Sequence, residues 1–175
     1  MNILIDTLPE SVVLDNKQYS INADFKTALK ILCKLEEKGL YVDKLTFVLK
    51  SFYNELPLTL ENALKGLKSF YGISQKGVGE GDAIFSFEKD SEYIYSAFYS
   101  FYNIDLCREN MHWYSFLALF KGLCGENVFS KVLSIRSINP SEIKDSALKQ
   151  KYIKLKEKYS LNAPLSIEDG LGRLF

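Results

Sequence analysis

Apolar residues recur along this chain at two spacings. Ser11–Leu14 and Gln18–Ile21 are short β-favouring runs on either side of Asp15-Asn16-Lys17, a pattern that reads as a hairpin. An isolated hairpin is marginal in water, so this one is expected to pack on the helices that follow, with Ile3 to Ile5 as a candidate third strand. From there the spacing turns helical. Phe25, Ala28, Leu29, Leu32 and Leu35 make one stripe over Asp24–Lys38, with Asn22 as the expected cap and Gly39 as the stop. A second helix, Asp43–Tyr53, is expected to bury Leu45, Val48, Leu49 and Phe52 and to stop at Pro57. The third starts at Thr59 and carries Leu60, Ala63, Leu64, Leu67 and Tyr71 at the same spacing. Short connections between amphipathic helices favour antiparallel neighbours in a bundle.

Gly72 to Asp82 breaks the pattern, and its glycines suggest a hinge loop over 72–87. Gly77, Gly79 and Gly81 follow a helix instead of a strand, and no Lys-Ser/Thr pair comes after them. A plain loop is therefore favoured over a phosphate cradle. Beyond it, Phe85 to Phe120 holds half of the 24 aromatic residues, the one tryptophan and the one histidine. Two helices are expected there, Glu88–Tyr102 and Arg108–Leu123, joined at Asn103 to Leu106 and forming the hub of the fold. Ile94, Phe98 and Phe101 share one face of the first helix, with Tyr95, Tyr99 and Tyr102 about 100° round. On the second, Trp113, Leu117, Phe120 and Cys124 line one side, and Ser115, Ala118 and Gly122 make a small-residue strip opposite. A helix over Asn127–Arg136 presents Phe129, Val132 and Leu133. Asn139-Pro140-Ser141-Glu142 then reads as the start of a last helix, over 141–160, with Leu148, Tyr152, Leu155 and Tyr159 as a narrow stripe. A loose tail, 161–175, completes the expectation: a mainly α single domain, 1–175, built as a bundle of about six to seven helices with a short N-terminal β-hairpin.

Composition narrows the function classes. Twenty-two basic and 22 acidic residues cancel, which argues against binding a phosphate backbone and offers little resistance to self-association. No run of ~18 apolar residues predicts a membrane span. The N-terminus lacks the pattern of a signal peptide, and three scattered cysteines read as reduced thiols, so a cytoplasmic setting is expected.

Catalytic chemistry finds little support. One histidine excludes a site needing two imidazoles, and the cysteines lack zinc spacing. His112 with Cys107 or Cys124 is a formal nucleophile pair without local support; a packed His112 bonded to a carboxylate or carbonyl is favoured. The five acids between Glu80 and Glu92 read either as a metal or basic-partner site or, preferred, as a solvated loop leading into helix-start acids. Six lysines between residues 144 and 158 read as a solvated face in preference to a nucleic-acid surface. No catalytic residue, metal or cofactor is expected. The tyrosines differ. Eight Tyr and Phe residues from Phe85 to Tyr102 exceed what one helix pair needs, and tyrosine suits surfaces that are dry at one end and wet at the other.

Several short segments, in order, carry a resemblance. They are Leu8-Pro9, Tyr19 to Phe25, Phe87 to Asp90 with Tyr93-Ile94-Tyr95, Tyr102 to Leu106, His112-Trp113, and Tyr152 with Lys154-Leu155-Lys156. The chain resembles the bacteriophage family named after gene product fifteen of a long-tailed phage of Gram-positive bacteria. At Tyr114 it departs from the His-Trp-Trp expected of the family across positions 112–114. The resemblance implies a role in tail morphogenesis, since genes of this family typically sit just before the tape-measure gene. It implies a non-catalytic tail assembly chaperone or adaptor in the host bacterial cytoplasm. Its expected partners are the tape-measure protein, other tail assembly proteins and further copies of itself, with no nucleic acid or membrane. The alternative is a structural subunit retained in the tail or tail-like particle; an enzyme of unknown type ranks third. Tyr95, Tyr99, Tyr102, Leu148, Tyr152, Leu155 and Tyr159 are the expected partner contacts.

Overall fold

The computed structural model describes residues 2–37, 39–72, 84–123 and 125–161. Among them lie a two-stranded antiparallel hairpin and seven α-helices, as the pattern predicts. Strands β1 (Ser11–Leu14) and β2 (Lys17–Ser20) pair with Leu14 opposite Lys17, so the turn holds two residues, Asp15 and Asn16. Both take positive φ, 49° and 62°, as a type I′ hairpin turn demands; Asn and Asp tolerate this best after glycine. Lys17 therefore belongs to the strand, and Ile21 falls outside it, bridging to Tyr53. The expected third strand is absent: the amides of Ile5 and Asp6 fold back onto the Asn2 carbonyl in a turn.

Helix α1 (Phe25–Glu36) is capped by Asp24, not Asn22; the Asp24 carboxylate accepts from the amides of Lys26 and Thr27. Phe25, Ala28 and Ile31 are buried, whereas Leu35 is exposed, so the stripe turns toward Ile31 and leaves the core after it. Helix α2 (Tyr41–Phe52) starts earlier than the pattern suggests and buries Val48, Leu49 and Phe52, with Leu45 half-buried. Helix α3 (Leu60–Tyr71) is capped by the Thr59 hydroxyl as expected. It buries Ala63, Gly66, Leu67 and Phe70, leaving Leu60 in solvent and Leu64 and Tyr71 half-buried. Gly66 allows the hairpin and Tyr53 to approach: a Cβ there would lie 3.1 Å from Val12, 3.3 Å from Leu14 and 2.2 Å from Tyr53 Oη, which donates to the Ala63 carbonyl at 2.8 Å.

The proposed hinge lies mostly outside the described residues, as do Cys124 and the tail after Leu161. Helix α4 (Ser91–Tyr102) buries Ile94, Ala97 and Phe98 and ends at Asn103, which takes the left-handed conformation. Phe101 is exposed, so the face turns toward Ala97 instead. Helix α5 is short, Trp113–Lys121, because the chain before it is extended. Asn110 to His112 runs beside the entry to α1: Phe25 N donates to Met111 O and Trp113 N to Ala23 O. Phe116, in the middle of α5, is fully buried and stacks between Phe25 and Phe98 at 4.9 and 5.2 Å. The hub is therefore shared by α1, α4 and α5. Helix α6 (Val128–Ser137) is capped by Asn127 and buries Phe129 and Val132. Asn139 to Glu142 is not the start of the last helix. Pro140–Glu142 is a single 3-10 turn, and α7 (Ser146–Lys158) begins afresh at Asp145, which caps the Leu148 amide.

Candidate partner-binding surface

Tyr95, Tyr99 and Tyr102 share one side of α4 but differ in what they do there. Tyr102 is half-buried; its Oη donates to the Leu119 carbonyl at 3.0 Å and stands where a Cβ on Gly122 would approach within 2.8 Å. The small-residue strip of α5 thus admits a tyrosine at its end. Tyr95 Oη donates to Asp105 Oδ1 at 3.2 Å, while desolvation and the neighbouring carboxylate hold its phenol above the ordinary tyrosine value. Tyr99 stacks on Tyr95 at 6.2 Å and is 53% exposed. Two of the three hydroxyls are internal fasteners, which leaves Tyr99 as the open member.

The other predicted contacts lie on α7, none of whose residues is buried. Tyr152, Leu155 and Tyr159 are half-buried, and Leu148, one turn before Tyr152, is exposed. A groove of about 390 Å³ lies between α6 and α7, lined by apolar Ile135, Ile138, Tyr152 and Leu155 and by polar residues that include Glu126, Lys131 and Lys151. Polar contacts secure its far end. Lys156 Nζ donates to the Arg136 and Ile138 carbonyls at 2.6 and 2.7 Å, satisfying the open C-terminus of α6, and Arg136 Nε donates to the Tyr159 carbonyl at 2.6 Å. Lys156, one of the six lysines read as a solvated face, is thus a structural cap. The two predicted contact sets sit on different elements, α4 and the α7 segment.

Arg136 also explains an acid that sequence reasoning placed in solvent. Asp90 is 1% exposed and takes a two-pronged ion pair from Arg136, at 2.6 and 2.8 Å. It accepts the Ser86 amide as well, while Arg136 reaches the Ile84 carbonyl at 3.0 Å. This cluster ties the start of α4 to the ends of α6 and α7. Glu88 and Glu92 are exposed, and Glu80 and Asp82 lie outside the described residues.

His112 packs as expected, at the rim of the core. Its Nε2–H donates to the Pro9 carbonyl at 3.0 Å, and Nδ1 accepts the Tyr114 amide at 3.1 Å, which makes it the cap of α5. Both ring nitrogens are engaged, so neither is free to take a proton from a thiol. Burial and the Glu36 carboxylate push the Cys33 thiol up, the reverse of what a nucleophile needs. A wider, polar depression of about 690 Å³ between the hairpin and Asn110 to His112 includes Asp24 and His112, both already spent on capping. Among the described residues no group of three or more His, Cys, Asp or Glu is placed to hold a metal ion, and no helix is long and apolar enough to cross a membrane.

Sequence reasoning missed one apolar surface. At the end of the α1–α2 hairpin, Leu35, Leu40, Tyr41 and Val42 are all exposed, and Phe47 in the middle of α2 is partly so. The signal was available: the apolar run Leu40-Tyr41-Val42 directly follows Gly39.

A family model described as Bacteriophage Gp15 protein matches residues 4–161. No curated protein and no solved structure matches the chain.

Proposed function

This chain belongs to the bacteriophage Gp15 family, and on that premise we propose that it is a non-catalytic tail assembly chaperone or adaptor. It acts in the host cytoplasm, holding the tape-measure protein until the tail tube forms around it. The observation that carries this reading is the groove between α6 and α7, with exposed Leu148 one turn before Tyr152 on the same α7 stripe. An amphipathic client helix laid along it meets apolar side chains at positions 148, 152 and 155, one helical stripe. Tyr99 supplies a second, separate contact, with Tyr95 and Tyr102 fixing its surroundings. A long client with many such segments gains avidity from modest contacts, which suits a protein that must later be displaced.

Co-expression with the tape-measure protein tests the proposal. The two should co-purify and the client should stay in the supernatant; Leu148→Glu should weaken co-purification at least about tenfold, the loss expected for one buried apolar anchor. A client that stays soluble without this protein and never co-purifies with it overturns the reading. Mass spectrometry of purified particles separates the alternative, since a chaperone is absent from the finished tail and a structural subunit is retained.

A further inference from the structure

We infer that the end of the α1–α2 hairpin is a self-association surface that seats the same end of a second copy of this chain. The apolar stripes of both helices run past the core. On α1, Ala28 and Ile31 are buried and Leu35, one turn on, is 45% exposed. On α2 the stripe of buried Phe52 and Val48 and half-buried Leu45 continues at helical spacing to Tyr41, which is 70% exposed. Leu40 at 73% and Val42 at 69% flank Tyr41 at the tip, and Phe47, 38% exposed, lies farther along α2 and about 120° round from Tyr41. Such stripes mark a helix pair built to meet more apolar surface than its own core offers.

Charge and area both favour a second copy as the occupant. Lys34 pairs with Glu37 at 2.6 Å and lies over the Phe47 ring, and Lys44 Nζ donates to the Leu35 carbonyl at 3.0 Å. The charges flanking the patch are of both signs and mostly spent internally, so a copy rotated by a half-turn meets no net repulsion. With large side chains of roughly 150–250 Å² each, the exposed parts of Leu35, Leu40, Tyr41 and Val42 give on the order of 500 Å² per copy. Two copies then bury roughly 1,000 Å², the threshold for a specific interface, where association is weak and reversible. Two hairpin ends side by side make a four-helix contact in which each apolar stripe is covered by its counterpart.

Sedimentation equilibrium on the full chain tests this, independently of any client. The average mass should rise from 20.0 kDa toward twice that value between about 1 and 500 μM, a range that brackets weak dimers. Tyr41→Asp or Val42→Asp should raise the dissociation constant at least about tenfold by placing like charges across the two-fold contact. Leu148→Glu, which addresses the proposed client groove, should leave the mass unchanged. On the wild-type chain, amide protection at residues 40–43 should increase with concentration. A mass fixed at one chain, a dimer indifferent to both aspartates, or protection that does not change with concentration each overturns the inference.

Discussion

Replacing Arg136 by methionine keeps most of the side-chain volume and removes a charge that four acceptor oxygens use. In the wild type its guanidinium grips both Asp90 oxygens and also reaches the Ile84 and Tyr159 carbonyls. The side chains are 10% and 1% exposed, so solvent screens this pair little. Removing the cation leaves an unpaired carboxylate in the interior, which costs about 3–5 kcal/mol, whereas an exposed pair costs under about 1 kcal/mol. At about 2–4 °C per kcal/mol for a chain of this size, the melting temperature should fall by roughly 10 °C. Urea titration followed by circular dichroism gives the free energy. Asp90→Asn and the double variant complete a cycle, in which the coupling should reach at least about 2 kcal/mol because the two groups touch. A loss for Arg136→Met below about 1 kcal/mol, or a coupling near zero, would refute the reasoning that this cluster fastens α4, α6 and α7.

Gly66→Ala adds a methyl 2.2 Å from Tyr53 Oη, so it should destabilise by about 1–3 kcal/mol despite its better helix propensity, and adding Tyr53→Phe should return part of the loss in a thermal melt. Burial pushes the Tyr53 phenol up to about 12 from the usual 10. The folded state thus holds this proton more tightly; the stability it contributes is complete below pH 10 and is lost as pH rises through about 12. Denaturant titrations from pH 9 to 12 should show Tyr53→Phe losing less than wild type across that window. His112→Ala removes the α5 cap and the bond to Pro9 and should cost about 1–2 kcal/mol by urea titration, and His112→Asn, which can still accept the Tyr114 amide, should restore about half.

Local rules made much of the architecture legible in the chain. The hairpin, the Thr59 cap and the existence of every helix follow from residue types whose preferences act within a few positions. Register and face were less legible. In α4 and α5 apolar residues lie on nearly every side, so periodicity cannot select Ala97 over Phe101 or single out Phe116. The start of α5 moved to Trp113 because Asn110 to His112 pairs with a segment nearly ninety positions away, which no local pattern encodes. The candidate contacts show the same division, since helical spacing put the three tyrosines on one side but gave no account of what their hydroxyls reach.

By itself, then, the sequence determined a helical fold with an N-terminal hairpin and membership of a phage family, because propensity, capping and segment order are written locally. Tertiary structure decided which apolar residues the core uses and which it leaves over. It turned Asp90 from a solvated acid into the partner of Arg136, spent Tyr95 and Tyr102 on internal bonds, and left Tyr99, the α6–α7 groove and the α1–α2 end uncovered. The physical reason is that burial depends on what stands opposite a side chain, and these neighbours come from distant parts of the chain.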